Sequence, residues 1–271
     1  MDLDSLLVSL YVVIDEWRTV HRPRRMAQPG RPSLPSDVEV LALAILSQWP
    51  RWRSERDFWG FARAHLLPYF PNLLSQSQFG DLPHSGRSLD LRRGPRVRAC
   101  RKSLFAGQAS FGRSVSKAEW DYDFKVALSI SLEGVITAFF LACAACDERK
   151  VGDALIAQDR HDAYLADKGF SSVEWGKRSS DLYGALVAAT PNANSNRAWP
   201  EAGRRWASSK RQIVAGVIDQ LKDFFALERH RAKTLGGLLA RISAKIAACT
   251  CGQCLNAGLD WQLRHLADLL V

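Results

Sequence analysis

Acidic residues are in short supply in this chain of 271: 28 Asp and Glu stand against 37 Lys and Arg, a formal net charge of +9. That imbalance, carried mainly by arginine, favours a polyanionic partner, because guanidinium–phosphate contacts and counterion release both scale with the number of cations. An ordinary basic protein is the plainer alternative. A long hydrophobic run is missing too. The N-terminal stretch LLVSLYVVI is too short to span a bilayer. It is preceded by Asp2 and Asp4 and followed by Asp15 and Glu16, the wrong charges for an export signal. The expectation is a cytoplasmic protein with no membrane partner. No internal repeat is found, which excludes a solenoid. Cysteine is sparse, and its two close pairs, Cys143/Cys146 (CAAC) and Cys251/Cys254 (CGQC), are roughly a hundred residues apart. The spacing within each pair suits a zinc knuckle, but neither pair sits between turn formers. Small buried hydrophobes are the competing reading, and disulfides are not expected in a reducing compartment.

With 47% hydrophobic residues the chain can bury a substantial core. Residues 3–20 have the periodicity of an amphipathic helix. A basic, proline-rich connector follows, HRPRRMAQPGRPSLP. Ser36 and Glu39 form a capping-box pattern ahead of a helix that ends at Pro50, and Ser54 opens another that stops before Pro68. Residues 1–79 are therefore expected to form a helical, basic region with short loops. Residues 80–119 are rich in arginine and glycine, with one short strand at RVRACR, and read as a linker.

From Trp120 the pattern becomes α/β. DYDFKVALSIS and VITAFFLACA are strand-like runs joined at Glu133-Gly134, which suits a hairpin. A helix is expected near 149–157, then the strand AYLA, a second short helix, the strand LYGALVAAT, a long helix within 208–231 and a last helix over about 233–256. The long helix carries an apolar stripe of Ile213, Val214, Val217, Ile218, Leu221, Phe224 and Phe225. Beside that stripe Arg211, Ala215 and Lys222 fall within about 40° of one another at 100° per residue. A small neutral residue between two cations is unexpected on a solvated helix edge.

AYLADKGF places Asp167 directly after a short apolar strand. That is where open α/β sheets present reactive side chains, with Gly169 letting the chain turn away. Capping of the following helix, or turn hydrogen bonding, would equally account for the acid.

Three stretches, FGRSVSKAEWDYDFKVALSISLEGVITAF, GDALIAQDRHDAYLADKGF and KRQIVAGVIDQLKDFFALERHRAKTLGGLLARISAKIAA, together resemble a bacterial insertion-sequence transposase of the DDE superfamily. LPSDVEVLALAILSQ and SERDFWGFARAHLLPYFPNL resemble the helical N-terminal part of the same transposases, which implies that residues 1–79 are a helical, basic DNA-binding region. The resemblance implies an RNase H-like catalytic domain over 120–271, a mixed sheet flanked by helices. It implies that two divalent ions, Mg²⁺ or Mn²⁺, are held by three acids for phosphodiester cleavage and strand transfer. Its partners would be double-stranded DNA at element ends and target, bound by a homo-oligomer.

The same resemblance assigns the second acid to Asp167. The first falls to Asp90, the only upstream acid near a strand-like run. The third belongs to a helical R-x3-E-x6-K signature, here Arg211, Ala215 and Lys222, with alanine in the acid's place. Asp219, one turn further on, is either a shorter substitute or a solvated surface acid. Arg211, Lys222, Arg229, Arg231 and Lys233 would contact DNA phosphates, or form a solvated face. Asp123 stands where the family has glycine in YGFK, and Leu-Arg-Arg-Gly, not hydroxyl residues, follows Asp90. These departures imply a degenerate or internally shortened copy with impaired catalysis, or a non-catalytic DNA-binding protein that inhibits an intact transposase. Trp52, Trp59, Trp120, Trp175, Trp199 and Trp206 could stack on unpaired bases or anchor the core.

Overall fold

A computed structural model describes residues 1–21, 35–73, 96–98, 105–114, 119–191 and 199–269. The chain divides into two compact units, one made of residues 1–85 and 243–271 and the other of residues 86–242.

In the first unit α1 (Leu3–Val20) starts at Asp2, whose carboxylate accepts the Ser5 N–H at 2.7 Å. It buries Leu6, Leu7, Leu10 and Ile14. The helix α2 (Asp37–Leu46) begins with the expected capping box, Ser36 and Glu39 satisfying one another's backbone N–H groups. Arg18 ties α1 to α2 through Asp37 at 2.8 Å. Ser54 caps α3 (Glu55–Phe61), which widens into a π turn at Ala62–Leu66. The chain then leaves the helix before Pro68, which cannot supply the next N–H.

The second unit is mixed α/β. Its longest strand, β3 (Glu119–Ile130), pairs antiparallel with β1 (Arg96–Arg98), β2 (Ser110–Ser114) and β4 (Ile136–Cys143). Asp123 is the register partner of both Arg98 and Ser110, so β1 and β2 flank β3 on opposite edges. The hairpin from β3 to β4 turns at Ser131–Val135, with Gly134 at φ 101°, a value that favours glycine. Asp147 caps α4 (Glu148–Gln158). Next, β5 (Ala163–Ala166) pairs in parallel with β6 (Leu186–Ala189) through the crossover helix α5 (Val173–Tyr183). Among the described residues β5 and β6 form their own two-stranded sheet. Both sheets contribute to one core, in which Ala127 and Ala142 meet Val151, Leu155, Ile156, Ala166, Phe170 and Trp175.

The elements depart from the sequence expectations at three places. LYGALVAAT is not all strand: Leu182 and Tyr183 complete α5, Gly184 ends it in the left-handed region at φ 68°, and the strand starts at Leu186. The long helix α6 runs Glu201–Asp219 and continues only through a π turn, Gln220–Phe224. It starts earlier than the apolar stripe suggests because Pro200, with no N–H to lose, serves as its N-cap. Its stripe is buried at Val217, Leu221 and Phe225, with Ile213, Val214, Ile218 and Phe224 half-buried. The strand β2 was not foreseen at all, since SFGRS has neither alternation nor β-branched residues.

The last long helix, α7 (Leu235–Gly258), crosses the boundary between the two units. Within the first unit Asn256 holds the chain after α7 by donating to the carbonyls of Gln262, Leu263 and His265. No helix among the described residues is long and apolar enough to cross a membrane.

Candidate DDE site

Asp167 leaves the carboxyl end of β5, half-exposed, with φ −72° and ψ 165°. Its carboxylate accepts the N–H of Lys168 at 2.8 Å, opening a single 3-10 turn at Lys168–Phe170. The helix beyond is capped instead by Ser172, whose hydroxyl accepts the Trp175 N–H. Asp167 thus caps the 3-10 turn and not α5, and its second neighbour is Arg211 on α6, with Nη2 3.6 Å from Oδ1. Sheet and helix converge at this pair.

Along α6, Ala215 lies one turn beyond Arg211 and Asp219 one turn beyond that, and all three are exposed. The packed side of the same turns, Val217 and Leu221, fixes how that exposed edge is presented. Lys222 behaves differently from its place in the sequence pattern. It sits inside the π turn and its Nζ lies 3.7 Å from Glu228. A π turn inserts an extra residue into the helical repeat, so Lys222 is displaced from the line that a continuous α-helix draws through 211 and 215.

Past α6 the chain is pinned by His230. Its ring is buried, and Nδ1 accepts the N–H of Ala232 at 3.0 Å, so that nitrogen carries no proton. The loop around it takes left-handed backbone at Ala226 (φ 48°) and Arg231 (φ 51°). Arg229, Arg231 and Lys233 are left exposed on either side of the buried ring. His230 is therefore an anchor for the loop and not one more surface cation, which the sequence run RHRAK does not reveal.

Asp123, read from the sequence only as a departure from glycine, is wholly buried on β3. Two residues on, the Lys125 ammonium donates to the Cys146 carbonyl and lies 3.9 Å from Glu148. Cys143 ends β4 and Cys146 follows in the turn, while Cys251 and Cys254 lie on α7. Among the described residues no three His, Cys, Asp or Glu side chains converge as a metal site. Asp90, expected as the first acid, lies outside the described residues.

Residues 88–235, more than half of the chain, match the transposase DDE domain. The chain belongs to that family. No curated protein and no solved structure matches it. The match spans β1 to the start of α7, and so contains Asp90, Asp167, Arg211, Ala215 and Lys222. DDE domains act on DNA and generally use divalent metals. The described residues do not fit such a centre by themselves: one carboxylate, Asp167, faces a guanidinium at 3.6 Å, and the position one turn along is an alanine. A divalent ion needs several hard oxygen donors with net negative charge, and this arrangement is close to neutral.

Proposed function

We propose that this chain is an insertion-sequence transposase of RNase H-like architecture that binds DNA and is impaired in strand cleavage and transfer. One observation carries the reading: Asp167 at the end of β5 and Arg211 on α6 stand 3.6 Å apart, with the exposed Ala215 one turn beyond the arginine. An acid at 215 would face the same edge. Alanine offers no donor, so the set of acids that would hold Mg²⁺ or Mn²⁺ is short by one. Asp219 is a turn further on and carries a shorter side chain than glutamate.

The chain's own residues can still bind DNA. Arg229, Arg231 and Lys233, together with Arg211 beside Asp167, expose cationic groups that would contact phosphates and not base edges. Such binding falls linearly in log–log terms as salt rises. A second reading rests on the same alanine: a DNA-binding copy without cleavage activity would inhibit an intact transposase by joining it in mixed oligomers. Two assays test the proposal. Duplex binding measured across a salt series should show a steep slope, and a flat response would remove the nucleic-acid reading. Incubation of element-end DNA with Mg²⁺ or Mn²⁺ should give negligible nicking. Robust nicking by the unaltered chain would overturn the impairment and direct attention to Asp219.

A further inference from the structure

Most of the tryptophans named as stacking candidates are sorted by burial. Trp59 and Trp175 are core residues, and Trp52 packs edge-on against Phe58 at 5.0 Å. Trp120 is different, with 67% of its surface exposed on β3. Its neighbours on the sheet are aromatic as well. The register pairs Phe111 with Tyr122 and Arg113 with Trp120, so these four residues occupy one set of alternate positions across β2 and β3. Phe111 is 48% exposed, and its ring meets that of Tyr122 edge-on at 5.2 Å. The acids of this segment, Glu119 and Asp121, occupy the other set of positions, in register with Ser114 and Gly112.

The opposite side of the ribbon is packed at Gly112 and tied at Ser110. A Cβ at Gly112 would come within 2.6 Å of the Ala144 Cβ, so glycine is required for the approach, and the Ala145 N–H donates to Ser110 Oγ at 2.7 Å. The Tyr122 hydroxyl donates to the Phe105 carbonyl, which holds that ring in place. Large aromatic rings normally enter a core or an interface. Here two of them are displayed on a braced two-stranded ribbon, at positions that include an arginine and no acid.

From this we infer that the exposed face of Phe111 and Trp120 is a stacking platform for an unpaired DNA base. The inference rests on the DNA-binding reading above and adds a site that is separate in sequence from Asp167 and α6. Paired bases hide their π faces within the duplex, whereas a single-stranded overhang offers them. Every base has a π face, so an aromatic platform takes any unpaired base regardless of sequence.

The test compares three labelled duplexes: blunt, with a three-nucleotide overhang, and with the same overhang made abasic. The unaltered chain should bind the base-bearing overhang more tightly than either of the others. Stacking on an aromatic side chain corresponds to a factor of roughly 5 to 150 in affinity per base. Trp120→Ala should remove that advantage and leave blunt-duplex binding unchanged. Trp120→Phe should keep most of it, and Trp206→Ala should have no effect. Equal binding of base-bearing and abasic overhangs by the unaltered chain overturns the inference, whatever any variant does. So does a Trp120→Ala protein that retains the full advantage. In either case continued salt-dependent binding of blunt duplex leaves the DNA reading standing, while loss of all DNA binding would sink that reading first.

Discussion

Replacing Ala215 by glutamate should restore divalent-cation binding beside Asp167, and the structure sets the size of the gain. Position 215 is exposed, the Arg211 side chain is 65% exposed and that of Asp167 31%. Charges there are screened nearly as in water, where a unit pair at about 4 Å is worth about 1 kcal/mol, compared with about 4 at an effective dielectric near 20. A divalent ion doubles the water-like figure, so the added carboxylate contributes about 2 kcal/mol. That corresponds to roughly 30-fold in Kd. The new glutamate also stands four residues from Arg211, and an i,i+4 pair with it takes back about 0.2–0.5 kcal/mol.

Mn²⁺ titration followed by electron paramagnetic resonance checks this directly. Ala215→Gln, of the same size without the charge, should gain nothing, and Asp167→Asn should abolish the gain in the Ala215→Glu background. If Ala215→Glu and Ala215→Gln bind Mn²⁺ alike, the reasoning that joins position 215 to Asp167 is refuted. Recovery of nicking is a stricter outcome, because it also requires Asp90 to act as the first acid. Metal binding without nicking would place the remaining defect upstream of β1.

Three further outcomes follow from the packing. Gly152→Ala should destabilise the protein by about 1–3 kcal/mol despite the better helix propensity of alanine, because its Cβ would lie 2.2 Å from the Trp175 ring; thermal unfolding measures it. That ring has little room to move, since its Nε1–H donates to Asp153 at 2.8 Å. The Arg149 side-chain hydrogen bonds, with its backbone N–H, hold the Asp147 carboxyl down to about 2 from an ordinary 3.8. A depressed carboxyl contributes stability above its unfolded value and loses it as the folded value is approached, so the advantage over Asp147→Asn should be complete at neutral pH and vanish between about pH 4 and 2. Burial pushes the Cys249 thiol up to about 12, whereas Cys254 is exposed, so iodoacetamide at pH 8 should label Cys254 in the native protein and Cys249 only after unfolding, as read by mass spectrometry.

What the sequence made legible was what local chemistry decides. Ser36, Glu39 and Ser54 announce helix starts because the cap is a contact between near neighbours, and the β3–β4 hairpin follows from strand-like runs around Glu133-Gly134. The end of β5 was legible for the same reason, an apolar tetrad followed by Asp-Lys-Gly. Whether Asp167 meets Arg211 was not, since 44 residues separate them and only the tertiary fold brings Nη2 to 3.6 Å. The helical line through 211, 215 and 222 shows the limit most clearly. It assumes 100° per residue throughout, and the π turn at Gln220–Phe224 breaks that assumption just before Lys222, which pairs with Glu228. Arg211 and Ala215 therefore remain on one edge as the spacing implies, while Lys222 does not follow from spacing. β2 and buried His230 were hidden for another reason. SFGRS is a strand because β3 offers it a partner and Gly112 permits the approach to Ala144, and neither fact is written in the five residues themselves. His230 sits in a run of cations, and only the left-handed backbone around it turns the ring inward to accept the Ala232 N–H. A charge pattern can nominate a surface, but the backbone decides which members of the pattern reach it.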